Sequence, residues 1–134
     1  MSGVLIDSSV LLDILGGSAE WSSWSSDALA RVSDSAPLII NPIIYAEVSI
    51  RYSFIEDVDN VLPREIFARE SIPYSAAFLA GKAFLAYRRR GGLRTAPLPD
   101  FFIGAHAAVS DYQLLTRDAK RYRSYFPDLV LIMP

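Results

Sequence analysis

Val4-Leu5-Ile6-Asp7-Ser8-Ser9-Val10-Leu11-Leu12 is the stretch that decides the fold of this chain. Its three aliphatic residues at 4–6 run without a polar break, which is typical of a parallel strand buried on both faces. The strand ends in Asp7, and in open α/β sheets ligands bind in the crevice beyond the carboxyl ends of the strands. A simpler interpretation is that Asp7, Ser8 or Ser9 caps the helix that follows. This stretch alone leaves both interpretations open.

Length and composition restrict the class of protein. The 134 residues are enough for a single domain, expected over 1–134, with one hydrophobic core. No apolar run approaches the ~20 residues of a membrane helix, and Met1-Ser2-Gly3 lacks the basic segment of a signal peptide. We therefore expect a cytoplasmic protein. The net charge of -2 argues against a general nucleic-acid coat protein, though not against a local basic surface.

The rest of the chain alternates between apolar strands and amphipathic helices. Strands are predicted at 37–40, 112–115 and 129–132, with a weaker one at 70–73 whose proline suggests a sheet edge. Helices are predicted over 10–15, 18–32, 42–50, 55–68, 75–90, 101–109 and 120–123, the fourth kinked or divided by Pro63. Such alternation predicts a parallel sheet with helices on both faces.

Glu47 breaks the pattern of its helix. Asn41-Pro42 predicts the helix start, with asparagine as the cap and proline at the first helical position. Glu47 then shares the apolar stripe of Ile43 and Ile50. A carboxylate there is costly unless it is paired, hydrogen-bonded or bound to a metal. The purely structural alternative is a salt bridge between Glu47 and Arg51, one helical turn later.

Two more carboxylates lie at the ends of predicted elements. Asp100 begins the helix over 101–109, and Asp118 follows the strand over 112–115. Each has an alternative interpretation as a helix cap. The single histidine, His106, is six residues beyond Asp100 and about 240° around the helix, so we interpret it as structural.

The predicted topology brings Asp7, Glu47, Asp100 and Asp118 to one edge of the sheet, because the carboxyl ends of parallel strands meet there. Like charges at short range repel, and a hard divalent cation resolves the conflict. Mg²⁺ or Mn²⁺ suits carboxylate ligands, whereas the lack of cysteine and the position of the histidine argue against Zn²⁺.

A metal ion held by carboxylates can catalyse phosphodiester hydrolysis, since it lowers the pKa of bound water and stabilises charge on the scissile phosphate. Ser9 and Thr116 could hold the carboxylates by hydrogen bonds.

Basic residues near these carboxylates suggest a path for RNA. Arg88, Arg89 and Arg90 end one predicted helix, and they lead into a Gly-rich loop that carries Arg94. Interaction with the helix dipole is a sufficient structural explanation for the first three. An RNA backbone could also contact this loop. Further candidates follow Asp118's strand: Arg117, Lys120, Arg121 and Arg123.

Four sequence blocks, in order, resemble a known family. They are LIDSSVLL at 5–12, NPIIYAE at 41–47, LPDFFIGAHA at 98–107 and LLTRD at 114–118. Together they look like a PIN-domain nuclease, and in particular like the VapC-like ribonuclease toxins of bacterial type II toxin–antitoxin modules. The likeness covers essentially the whole chain.

The resemblance implies a three-layer α/β/α sandwich around a mostly parallel sheet of four to five strands. It implies a Mg²⁺- or Mn²⁺-dependent endoribonuclease with Asp7, Glu47, Asp100 and Asp118 as the acidic site, and with Ser9 and Thr116 as supporting hydroxyls. Growth arrest by cleavage of structured RNA such as tRNA would follow. It also implies a homodimer or a higher assembly with a cognate antitoxin, whose apolar contacts we expect on the helix of Trp21 and Trp24 and over 43–50.

Two other classes of protein compete with the nuclease. A non-catalytic module of the same fold would bind a partner's arginine or lysine in its acidic pocket. A phosphoacceptor signalling domain would need paired acidic residues after the first strand and a lysine after a late one. This chain has only Asp7 after its first strand, and it has Arg117 where such a domain would have the lysine after a late strand.

Overall fold

The computed structural model describes residues 2–95 and 98–134. Two residues of the predicted Gly-rich loop, Ala96 and Pro97, lie outside the described part of the chain. The strands are β1 (Val4–Ile6), β2 (Leu38–Ile40), β3 (Phe67–Arg69), β4 (Gln113–Leu115) and β5 (Leu131–Ile132). The helices are α1 (Ser8–Leu15), α2 (Ser22–Ser33), α3 (Pro42–Ser49), α4 (Ile55–Val61), α5 (Tyr74–Arg89), α6 (Pro99–Val109) and α7 (Lys120–Tyr125).

The described strands form one five-stranded sheet in the order β3-β2-β1-β4-β5, and every neighbouring pair is parallel. Leu5 of the central β1 pairs with Ile39 on one side and with Leu114 on the other. Leu5 and Ile6 are both 0% exposed although consecutive side chains point to opposite faces of a sheet. Helices therefore cover both faces, and the predicted α/β/α sandwich is confirmed.

The start of α3 is set by local sequence, as predicted. The Ile44 N–H donates to Asn41 Oδ1 over 3.0 Å, and Pro42 occupies the first turn. The cap satisfies one of the backbone donors that every helix start leaves without a partner. It fixes where α3 leaves the carboxyl end of β2, and with it the position of Glu47.

The segment after α4 differs from the prediction. The predicted helix over 55–68 ends at Val61, and the predicted strand over 70–73 is wrong because the strand is β3, Phe67–Arg69. Pro63 cannot continue the helical hydrogen bonding, and Arg69 pairs instead with Ile40 of β2. The expected edge position holds, since β3 ends the sheet.

The strand order places a crevice beside β1. The chain proceeds from β1 outward to β2 and β3, and then returns to the other side of β1 for β4 and β5. This change of direction is a topological switch point, where open α/β sheets leave room for a ligand beyond the strand ends. Asp7 follows one bordering strand, and Thr116, Arg117 and Asp118 follow the other.

No helix within residues 2–95 and 98–134 combines the length and the apolar character that crossing a bilayer requires.

Candidate active site

Asp7 follows β1 at the switch point and is 4% exposed. It occupies the cap position of α1, but its side chain makes no capping hydrogen bond. Its Oδ2 instead accepts hydrogen bonds from Thr116 Oγ1 at 2.7 Å and from Ser9 Oγ at 3.0 Å. The simple capping interpretation of Asp7 is therefore wrong. Burial raises the pKa of this carboxyl, and the negative charge of Asp100 raises it further.

Glu47 approaches the same crevice from α3. Its half-buried carboxylate accepts a hydrogen bond from Ser8 Oγ at 2.8 Å. Burial raises the pKa of Glu47, and the charges of Asp7 and Asp100 add to the effect. The alternative salt bridge to Arg51 is wrong, because the ion pairs found among the described residues do not include Glu47.

Asp100 lies in the first turn of α6, whose cap residue is Leu98 and not Asp100 as the alternative had it. Its carboxylate is near the positive end of the helix dipole. Arg121 Nη1 donates to Asp100 Oδ2 at 3.2 Å, and the Tyr122 hydroxyl donates to Oδ1 at 3.4 Å. Both carboxylate oxygens thus have donors from α7.

Tyr122 is a site residue to which the sequence analysis gave no role. Its ring is fully buried, and its hydroxyl lies between Asp7 and Asp100. Burial and the charges of these two carboxylates raise the pKa of the phenol well above its ordinary value, so it stays a neutral hydrogen-bond donor. The available signal was a hydroxyl on the apolar face of α7, where a purely hydrophobic ring would fill the same space.

Asp118 is at the rim of the crevice and is exposed. Its backbone N–H donates to Thr116 Oγ1 at 3.1 Å. The cap residue of α7 is Ala119, so the capping alternative for Asp118 is wrong. Asp118 and Asp100 both line a cleft of about 330 Å³, which Lys120 and Arg121 also line.

The donor set fits a hard divalent cation chemically, although these side chains are not gathered as ligands. The negative charge of Asp100 adds to the effect of burial in raising the pKa of both Asp7 and Glu47, and all three side chains offer the carboxylate oxygens that Mg²⁺ and Mn²⁺ prefer. Nevertheless, in the described part of the chain no three acidic, histidine or cysteine side chains lie close enough together to hold a metal ion. One of these carboxylates, Asp100, is already paired with Arg121.

The basic candidates have different environments. Arg88 donates to the carbonyl of Arg94 at 2.7 Å, and the Arg90 guanidinium stacks on Tyr125 at 4.6 Å. Arg89 is exposed and Lys120 borders the cleft.

Arg117 differs from the other basic candidates because its ion-pair partner is a buried carboxylate. It makes two hydrogen bonds of 3.2 Å to the buried Asp13 and lies over the Trp21 ring. Its guanidinium is therefore engaged within the protein.

His106 is a core side chain, 0% exposed. Asn41 Oδ1 already accepts the α3 capping bond, so its Nδ2 donates to His106 Nδ1 at 3.0 Å. This assignment leaves the proton on Nε2, which lies 3.4 Å from Glu70 Oε1. Burial lowers the pKa of the imidazole and keeps it neutral.

Comparison with known proteins relates this chain to one family. A model of the PIN domain matches residues 4–126. Among solved structures, a chain of a VapBC complex from Rickettsia felis bound to a promoter DNA fragment has a TM-score of 0.73 at 15% identity, over 98% of each chain. A VapBC structure from nontypeable Haemophilus influenzae has a TM-score of 0.72 at 18% identity, over 97% of this chain and 96% of that one.

A toxin–antitoxin complex from Klebsiella pneumoniae has a TM-score of 0.68 at 23% identity, over 96% of each chain. At these identities, the likeness establishes a shared fold. None of the curated proteins matches the chain.

Proposed function

This chain belongs to the PIN domain family, and from that premise we propose that it is a single-domain, Mg²⁺- or Mn²⁺-dependent endoribonuclease. We propose further that it is the toxin of a type II toxin–antitoxin pair and arrests growth by cutting structured RNA such as tRNA. The observation that carries the proposal is the group of carboxylates at the switch point. Asp7 is buried and Glu47 half-buried there, and hydroxyls hold both side chains. Burial raises the pKa of both carboxyls, and neighbouring negative charge raises it further.

The proposed roles of the residues follow from their contacts. Asp7, Glu47, Asp100 and Asp118 would hold the metal ion, which supplies a more acidic bound water and charge stabilisation at phosphorus. Thr116 and Ser9 fix Asp7 through its Oδ2.

Ser8 fixes Glu47 in the same way. A carboxylate with a raised pKa is also suited to accept a proton from the attacking water.

The proposed partners are an RNA substrate, an antitoxin and a second copy of the chain in a cytoplasmic complex. The similar structures are VapBC and toxin–antitoxin complexes. Ile50, Phe54 and Ile55 are 84%, 66% and 63% exposed beside α3 and α4. Large apolar side chains with this much exposure, when they lie together on a surface, are typical of a protein interface, which supports a partner near the predicted 43–50 contacts.

A second candidate function is a non-catalytic interaction module. The observation that favours it is the ion pair between Arg121 and Asp100, since one carboxylate of the group already has a basic partner. In such a module the remaining acidic pocket would bind a basic segment of another protein.

Cleavage of total cellular RNA distinguishes the two functions. Antitoxin-free wild type, Asp7→Asn and the control Asp34→Asn would be incubated with Mg²⁺, Mn²⁺ or EDTA, and the new 5′ ends sequenced. Asp34 is exposed between α2 and β2, at the opposite edge of the sheet. We expect discrete, metal-dependent cuts with wild type and Asp34→Asn and none with Asp7→Asn. Equal patterns from wild type and Asp7→Asn, or no cuts with either metal, would contradict the nuclease.

A further inference from the structure

The ion pair between Arg121 and Asp100 is placed where it can exchange. Arg121 Nη1 is 3.2 Å from Asp100 Oδ2, and the two side chains are 41% and 33% exposed. Water therefore reaches both groups. Pairs with such exposure contribute only about 0–1 kcal/mol, so another cation can replace the guanidinium at modest cost.

The second oxygen of Asp100 does not depend on Arg121. The Tyr122 hydroxyl donates to Oδ1 from a buried position that also contacts Asp7. Loss of the Arg121 contact would thus leave Asp100 oriented toward the acidic group. This separates a fixed donor, Tyr122, from an exchangeable one.

A released Arg121 would remain beside the substrate path. It lines the cleft of about 330 Å³ together with Asp118, Lys120 and Ser124. An adjoining cleft of about 470 Å³ shares Asp118, Lys120 and Ser124 and also contacts Arg123. The two clefts therefore adjoin along α7, and both combine Asp118 with cationic side chains. A guanidinium in this place has the geometry to bind a phosphate through two hydrogen bonds.

We propose that Arg121 is an exchangeable counter-ion: it neutralises Asp100 when no divalent cation is bound there, and it binds a backbone phosphate of the RNA when one is. This proposal rests on the proposed nuclease function and adds a residue that couples metal binding to substrate binding. It requires two opposite effects of removing Arg121. The metal ion loses a competitor and binds more tightly, while the RNA loses a cationic contact and binds more weakly.

The first measurement is the affinity for Mn²⁺ of the full, antitoxin-free chain, measured by calorimetry or by the spectrum of free Mn²⁺. We expect Arg121→Met to bind Mn²⁺ about 3–5-fold more tightly than wild type, the factor that corresponds to the upper end of a surface ion pair's contribution. Lys120→Met is the matched control, because Lys120 is the adjacent residue of α7 and lines the same cleft. Its Mn²⁺ affinity should stay within about 2-fold of wild type, since Lys120 is not among the bases paired with Asp100 in the described residues.

The second measurement is the salt dependence of binding to a nuclease-resistant single-stranded RNA analogue, whose length is checked after each titration. Each lost phosphate contact reduces the slope of log K against log [salt] by about 0.7. Arg121→Met should show this reduction in Mn²⁺ but not in EDTA, where Arg121 stays with Asp100. Lys120→Met should show it under both conditions, and Arg121→Lys should restore much of the slope in Mn²⁺.

Each outcome bears on a different part of the argument. If wild type binds Mn²⁺ and cleaves RNA but Arg121→Met binds Mn²⁺ no more tightly, the exchange is wrong and the nuclease stands. A slope reduction of equal size in EDTA and in Mn²⁺ would also overturn the exchange, because Arg121 would then contact RNA in both states. A wild type that neither binds Mn²⁺ nor cleaves RNA would refute both the proposed function and this inference.

Discussion

Replacement of Arg117 by methionine should lower the free energy of unfolding by about 2–3 kcal/mol. Asp13, 4% exposed, accepts two hydrogen bonds of 3.2 Å from Arg117 and one of 2.9 Å from Ser25. Removing one partner of a buried pair costs about 3–5 kcal/mol, because the other charge stays buried without compensation. Arg117 itself is 33% exposed, so in the variant water can reach part of Asp13 and reduce the cost.

Urea denaturation at pH 7 measures this loss, which for a domain of this size corresponds to roughly 10 °C in Tm. Asp13→Asn combined with Arg117→Met should recover about 1–2 kcal/mol relative to Arg117→Met alone, since the double variant buries no charge. Arg89→Met is the matched control, because Arg89 is exposed, and it should stay within about 0.5 kcal/mol of wild type.

The same variant tests whether this ion pair supports the active site. Arg117 lies between Thr116 and Asp118, and the backbone N–H of Arg117 donates to Ser9 Oγ at 3.2 Å. We expect RNA cleavage by folded Arg117→Met to fall along with its stability. A loss of stability no greater than that of Arg89→Met would refute the reasoning, since the buried charge of Asp13 would then be compensated in another way.

Three further predictions concern the core and the site. At pH 7, Asp7→Asn should raise the free energy of unfolding by on the order of 1 kcal/mol. Burial raises the Asp7 pKa above its ordinary 3.8, so wild type loses stability as the pH rises from 3.8 through the raised pKa. Equal urea curves for the two proteins at pH 7 would contradict this. Burial lowers the pKa of His106 below its ordinary 6.5, so wild-type stability should decline as the pH falls below about 6.5. His106→Gln should make stability depend less on pH in this range. An equally steep decline in the variant would assign it to another group. Gly104→Ala would place a Cβ 2.5 Å from the Phe126 ring and should lower the free energy of unfolding by about 1 kcal/mol, after the gain in helix propensity is included. In Gly81→Ala the new Cβ meets open space, so this variant should be about 0.5–1 kcal/mol more stable than wild type. Equal thermal stability of the two variants would refute the packing argument.

Local sequence determined the elements whose signals are short-range. Three consecutive aliphatic residues at 4–6 predicted a strand buried on both faces, and the structure confirms β1 at the centre of the sheet. Asn41-Pro42 predicted the start of α3 because capping involves only the next few residues. The positions of Asp7 and Asp118 after strands followed from the same patterns, and the parallel sheet then brought the two strand ends side by side.

Only the tertiary structure decided which partners these residues have. The edge strand formed at Phe67–Arg69 and not at 70–73, because a three-residue strand is fixed by pairing with β2 more than by its own propensity. The Tyr122 hydroxyl contacts the carboxylate of Asp100, and Arg121 pairs with Asp100 across 21 positions of sequence. The sequence pattern records whether a side chain faces the core. The identity of its partner depends on where distant elements meet, and that is fixed by the packing of α6 and α7 against the sheet.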